Sequence, residues 1–149
     1  MNEADETLLQ KASEAVFGRV GDGSVFSLPW PRQVVAIIYS AQAIIDNGGF
    51  VYFFENDWPD QPPYSVFQDA YHAIGADECA ECLEVAASLF PFPDPHRAKG
   101  ERRAFLREHC HDETHTLVCL GGRVIDHSDA NFTLLARYVR THFEEIHGA

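Results

Sequence analysis

Basic residues are scarce in this chain. Only 11 Lys+Arg stand against 23 Asp+Glu, a formal net charge of −12 with histidine neutral. Direct nucleic-acid binding needs a positive surface that displaces counterions, so this balance argues against it. No uninterrupted apolar run approaches the roughly 20 residues that span a bilayer. The opening MNEADETLLQ is acidic where a secretory signal would be basic. The expectation is a soluble cytoplasmic protein with no membrane partner. Cysteine is limited to Cys79, Cys82, Cys110 and Cys119, which read as reduced thiols without an export signal. There is no P-loop, no G-x-S-x-G, no G-x-G-x-x-G and no internal repeat.

What is present is ordinary globular usage: 46% hydrophobic and 23% charged residues over 149 positions. That suits one domain spanning residues 1–149. The negative charge is uneven. Residues 1–92 hold 14 acids and 3 bases, whereas residues 93–149 hold 9 and 8. Such an excess suits a basic partner, and it also suits plain solubility.

Apolar periodicity predicts a mostly-α fold of about six helices. Leu8, Leu9, Ala12 and Val16 mark a helix over 5–18. A second starts near Pro31, with a wide stripe of Val34, Ile37, Ile38, Ala41, Ile44 and Ile45. After it, Asn47-Gly48-Gly49 and the aromatic run from Phe50 read as a helix end, a glycine corner and a short second helix, with Asn47 able to take a left-handed terminating position. Residues 65–74 and 77–90 form two helices split at Gly75, and 97–110 a basic helix around Arg102, Arg103 and Arg107. TLVCLGGRVI at 116–125 resembles a small β-hairpin. The last helix starts with Ser128 as N-cap and carries Phe132, Leu135, Val139, Phe143 and Ile146.

The helix at 77–90 concentrates charge. At about 100° per residue, Asp77, Glu81 and Glu84 fall within roughly 60° of one another, with Glu78 on their flank. Cys79, Cys82, Leu83 and Ala86 lie opposite. Neighbours on such a face have Cβ atoms about 5–6 Å apart, and a DNA strand carries one charge per roughly 3.4 Å of axis. A short row of carboxylates on a helix thus approximates a short row of phosphates, although a solvated acidic face has the same pattern. A second cluster runs through Asp46, Glu55, Asp57, Asp60 and Asp69, interleaved with Tyr52, Trp58 and Tyr64. Aromatics supply contact area and acids supply steering at protein interfaces.

Two constellations point to chemistry instead. Cys79-x-x-Cys82 is half of a zinc site, which His109, Cys110, His111 and His115 could complete. Cys110 between two histidines is a candidate nucleophilic pair. The helical wheel places Cys79 and Cys82 on the apolar side, where thiols act as small hydrophobes, so neither a metal nor another cofactor is assigned.

The segments NGGFVYFFEN at 47–56 and HAIGADECAECLEVAASLFP at 72–91 resemble a bacterial domain family of unknown function named after the C-terminal part of a DNA-mimic protein. The resemblance rests on Asn47, Gly48, Gly49, Phe50, Phe53, Phe54, Asn56, Ile74, Gly75, Ala76, Ala80, Ala86, Phe90 and Pro91, with LLxxYVRxH at 134–142, and covers about 33–142. Tyr52 replaces a frequent Gln, and 92–127 is expanded and basic. The resemblance implies a mostly helical fold and a relative that presents DNA-like negative charge to a DNA-binding protein. The expected function is therefore a non-enzymatic acidic interaction module that binds a basic protein surface, in the manner of a DNA mimic. The alternatives are an immunity or antitoxin-type inhibitor of a cationic toxin and, below it, a small zinc- or thiol-dependent enzyme.

Overall fold

The widest apolar stripe in the sequence becomes the helix around which the others pack. The structure is a computed structural model and describes every residue except Asp22 and Ala149. Its helices are α1 (Glu3–Gly18), α2 (Trp30–Glu55), α3 (Tyr64–Ala73), α4 (Asp77–Ser88), α5 (Lys99–His109), α6 (Thr116–Asp126), α7 (Ser128–Thr141) and α8 (Phe143–His147). Short 3-10 turns stand at Val25–Ser27 and Pro95–Arg97, and no strand occurs among the described residues. By length and composition α2 could cross a membrane. Its Val34, Ile37, Ile38, Ala41 and Ile45 are instead buried where α1, α3, α5, α6, α7 and α8 pack on it.

Local chemistry explains most of the boundaries. Asn2 caps α1 by accepting from Asp5 N at 2.8 Å, and Glu3, Asp5 and Glu6 occupy the first turn, where the helix dipole favours anions. Pro31 lies in the first turn of α2, where a missing N–H costs nothing. The α3–α4 junction is a Schellman turn. Gly75 takes φ +87°, its N–H reaches His72 O at 2.9 Å, and Ala76 N reaches Tyr71 O at 2.9 Å.

Within α2 the chain turns a corner at Gly48 and Gly49. The left-handed position falls on Gly49 (φ 67°, ψ −163°), not on Asn47, which stays inside the helix. That combination of angles is essentially open only to glycine. Gly48 has a different reason: a Cβ there would lie 2.5 Å from the Cβ of Tyr52. Beyond the corner, Phe50, Phe53 and Phe54 point into the core. Phe53 packs edge-on against Phe67 at 5.3 Å between centroids, and Phe54 against Tyr64 at 5.0 Å and Phe90 at 5.1 Å.

Residues 116–125 are helix, not hairpin. The β-branched residues and the glycine pair suggested a turn, but Leu117, Gly121 and Val124 recur at helical spacing and all three are buried. His115 caps α6 by accepting from Leu117 N at 3.1 Å. Gly121 lets α6 lie directly on the α2 corner, because a Cβ there would be 2.7 Å from Phe50 N. Ser128 is the first residue of α7 and not its cap, since its hydroxyl donates to Asp46 Oδ2 at 2.6 Å. The terminal helix also breaks at His142, which turns Phe143 outward at 45% exposure while Ile146 stays buried. This break and the segment expected as a hairpin bring the count to eight helices among the described residues, where periodicity suggests about six.

The two adjacent glycines of α6 should respond oppositely to alanine. Gly121→Ala drives a methyl into backbone and should cost about 1–3 kcal/mol. Gly122, which has nothing within 4 Å of a built Cβ, should gain about 0.5–1 kcal/mol from helix propensity. Urea denaturation of the two variants measures both signs.

Candidate acidic interaction surface

Helix α4 is oriented by what it buries. Cys79, Ala80, Cys82, Leu83 and Ala86 face the core. Cys79 Sγ lies 3.4 Å from the Nδ2 of buried Asn131 on α7. With that side turned inward, Asp77, Glu81 and Glu84 are exposed on the opposite face. On neighbouring α3, exposed Asp69 and His72 are three residues apart and share a face. His72 Nδ1 lies 2.7 Å from Asp77 Oδ1, so it joins the outer faces of α3 and α4. The result is a row of four carboxylates: Asp69, Asp77, Glu81 and Glu84. Asp69, Glu81 and Glu84 make no ion pair within 4.0 Å among the described residues.

Glu78 flanks the row but is compensated. Arg123 Nη2 is 2.6 Å from its Oε1, and His127 Nε2 is 3.3 Å from its Oε2. The hydrogen bond from Arg123, reinforced by the charge of His127, holds the Glu78 carboxyl below the usual carboxylate range. Between α4 and α6, Glu78, Glu81, Cys82, Val85, Leu120 and Arg123 line a shallow depression of about 130 Å³. Val85 is 45% exposed there, an apolar contact point beside the acids.

The other nominated acids lie apart from this row or are engaged elsewhere. Asp46 accepts from Gln42 Nε2 at 2.9 Å and from Ser128 Oγ, and it lines a pocket with Met1, Glu6, Tyr39 and Phe132. Glu55 is half-buried and lines a pocket with Arg103, Arg107, Cys110 and His111 of α5 and its end. Asp57 is neutralised by Arg102 Nη2 at 2.6 Å, with Lys99 Nζ at 4.0 Å. Asp60 is exposed in the connection before α3, at a positive φ of 64°. Of the aromatics interleaved with these acids, Tyr64 is buried and Trp58 packs on Phe67 at 4.9 Å, which leaves Tyr52 as the exposed one.

Among the signature residues, Gly48, Gly49, Phe50 and Gly75 build the backbone described above, and Asn56 Nδ2 donates to Tyr52 O at 2.7 Å to close the end of α2. Asn47 is exposed beside Asp46. The arginine that periodicity placed on a basic helix face, Arg102, is fully buried. It donates to Phe54 O at 2.8 Å and Asn56 O at 3.3 Å, satisfying carbonyls that the end of α2 leaves open, and to Pro95 O of the turn before α5 at 2.6 Å. Arg102, Arg123, His72 and His127 carry no local sequence signal for these roles, because the carboxylates that Arg102, Arg123 and His127 meet are remote in the chain.

The sulfur and imidazole groups do not converge. No group of three or more His, Cys, Asp or Glu side chains is placed to hold a metal ion among the described residues. Cys110 Sγ lies 3.6 Å from His115 Nδ1, a partner five residues away and not one of the flanking histidines. Burial pushes the Cys110 thiol up, the opposite of what a nucleophilic thiolate needs.

Fold and surface together define a small domain, all-helical among the described residues, whose α3 and α4 faces carry carboxylates of which only Asp77 is paired there. The DMP19-like protein family matches residues 27–142, and the chain belongs to that family. The match begins six residues before the stretch that carried the resemblance, at Ser27. No curated protein and no solved structure matches the chain.

A carboxyl titrating low contributes stability above its ordinary pKa, and that stability is lost as the pH falls through the lowered value. Arg123→Met should return the Glu78 midpoint toward the ordinary carboxylate range, with little change in stability because the pair is solvent-exposed. Side-chain carboxyl NMR titration of the two proteins measures the shift.

Proposed function

We propose that this chain is a non-enzymatic module that binds a basic protein surface, presenting carboxylates where the partner otherwise meets nucleic-acid phosphates. The partner is a cytoplasmic DNA-binding protein. The observation that carries this reading is the row Asp69, Asp77, Glu81 and Glu84 on two adjoining helices, three of its members without a cation among the described residues. Family membership supports the same reading. The row is one edge of the molecule, so it stands in for a short stretch of one strand and not for a whole duplex. Val85 beside it offers the apolar contact that acids alone do not supply.

Exposed charges are screened beyond about 8 Å at physiological ionic strength, so such a complex forms best at low salt. A partner captured from a lysate of the source organism at low ionic strength should be a nucleic-acid-binding protein, and duplex DNA should displace it. With that partner, Glu81→Lys together with Glu84→Lys should slow association about tenfold or more. Glu113→Lys, an exposed site outside the row, should leave the rate within about twofold. Equal association rates for both variants in a surface-binding assay would remove the row from the interface.

A further inference from the structure

Helix α1 packs beside α2 and α7, and the three leave a gap where α2 approaches its glycine corner. Glu6 and Leu9 of α1, Tyr39, Ala43 and Asp46 of α2, and Phe132 of α7 line a cavity of about 410 Å³ there. One part of the lining is apolar. Leu9 is buried, and the half-buried rings of Tyr39 and Phe132 meet edge to face at 6.2 Å between centroids. The other part carries the exposed acids Glu6 and Asp46.

The α1 dipole accounts for Glu6 in a first turn, but local structure does not account for Asp46. Regular helix ends at Asn47, because Gly48 and Gly49 leave helical angles. A carboxylate in the last turn of a helix faces the negative end of the dipole, which favours cations. Yet neither Asp46 nor Glu6 has a cation within 4.0 Å among the described residues. The oxygens of Asp46 are held by two neutral donors, the Gln42 amide and the Ser128 hydroxyl. A carboxylate has about four lone-pair positions, so about half of its accepting capacity is left over. The ammonium of Met1 also stands at the cavity, but both oxygens of Asp129 hold it at 2.8 Å. Asn47, the signature residue whose expected left-handed position falls to Gly49, lines the same space and adds an amide oxygen.

Two uncompensated carboxylates call for positive charge. Aromatic rings attract a cation through their faces and an apolar body through their area. The volume lies within the range of about 300–1,000 Å³ usual for small-molecule sites, which is more than one lysine side chain fills. We propose that this cavity binds a small organic cation, a primary amine carried on a ring-bearing body. The ammonium donates to Asp46 and Glu6, and the ring lies against Leu9, Tyr39 and Phe132. The site is built on α1, α2 and α7 and is independent of the carboxylate row on α3 and α4, so it goes beyond the proposed function.

Titration of the full chain with phenethylammonium chloride at fixed ionic strength, followed by amide proton–nitrogen NMR, should shift the resonances of Glu6, Ala43 and Asn47 saturably. Half-saturation is expected at or below about 1 mM. Phenethyl alcohol, with the same ring and no charge, should bind at least about tenfold more weakly, because a charge-assisted hydrogen bond is lost. Nα-acetyl-lysine methylamide represents the other source of an ammonium group, a partner's lysine. Lacking the ring, it should also bind at least about tenfold more weakly. Ala43 is exposed on α2, so Ala43→Phe fills the cavity without burdening the core and should weaken phenethylammonium binding at least about tenfold. Glu6→Gln should weaken it about threefold. Glu81→Lys together with Glu84→Lys should leave it within about twofold, since the row is remote and screened. Shifts that do not saturate, equal affinity for the alcohol or for the lysine derivative, or unchanged affinity in Ala43→Phe overturn the proposal. So does a loss in the Glu81, Glu84 double variant as large as in Glu6→Gln, which marks general attraction to a negative protein.

Discussion

The amide of Gln42 has no solvent to turn to, and five helices are arranged around that fact. Its Oε1 accepts from Tyr71 Oη and from Asn131 Nδ2, each at 3.0 Å, while its Nε2 donates to Asp46 Oδ1 at 2.9 Å and Val124 O at 3.3 Å. Both donors and both acceptor positions of the amide are thereby used. Any slip of α2 against α3, α6 or α7 strands at least one buried polar group, and a half-satisfied buried network is worse than an apolar one. Asn131 passes the constraint on to α4 through Cys79. Together with the burial of Ala80, Cys82, Leu83 and Ala86 that contact fixes the inward side of α4, so its outward side, with Asp77, Glu81 and Glu84, follows as a consequence. The acidic row is thus displayed by a network that contains only one carboxylate of its own, Asp46.

Electrostatic compensation then decides which acids remain available. The arginines of the chain's final third are spent selectively. Arg102 enters the interior and holds Asp57 together with the carbonyls at the end of α2, and Arg123 takes Glu78. Arg19 and Arg32, from the acidic first part, pair with no carboxylate among the described residues. They donate to the carbonyls of Glu145, Ile146, His147 and Gly148, where a helix C-terminus leaves acceptors open and favours cations. Among the described residues Asp69, Glu81 and Glu84 on the outer faces of α3 and α4 receive no such cation, and His72 pairs with Asp77. A net charge of −12 therefore says less about the surface than the placement of four or five arginines does.

The glycine corner shows how a local motif and a distant packing contact share one purpose. Gly49 permits a left-handed step and Gly48 makes room for Tyr52, which turns Phe50, Phe53 and Phe54 inward. The inner surface of that corner is closed by α6 at Gly121, more than seventy residues further along, where no side chain fits against Phe50 N. The NGGF motif thus has its counterpart in Gly121, part of a glycine pair that reads locally as a turn.

What the sequence determined by itself was the content of local interactions. The helical stripe of α2, the corner at residues 47–50, the Gly75 junction and the three-carboxylate face of α4 all depend on residues within a turn or two of one another, and periodicity exposes them. Tertiary structure decided the rest. Residues 116–125 carry β-branched side chains and two glycines, and burial of Leu117, Gly121 and Val124 against the rest of the molecule makes a helix of them. Asp46, Glu55, Asp57 and Glu78 look alike in the sequence as surface acids, yet Gln42 and Ser128 occupy the first, arginines of α5 face the second, Arg102 holds the third and Arg123 the fourth. The charge a carboxylate presents to a partner is set by which cation folding brings within a few ångströms of it, and Coulomb attraction at that range depends on position in space, to which distance along the chain is no guide.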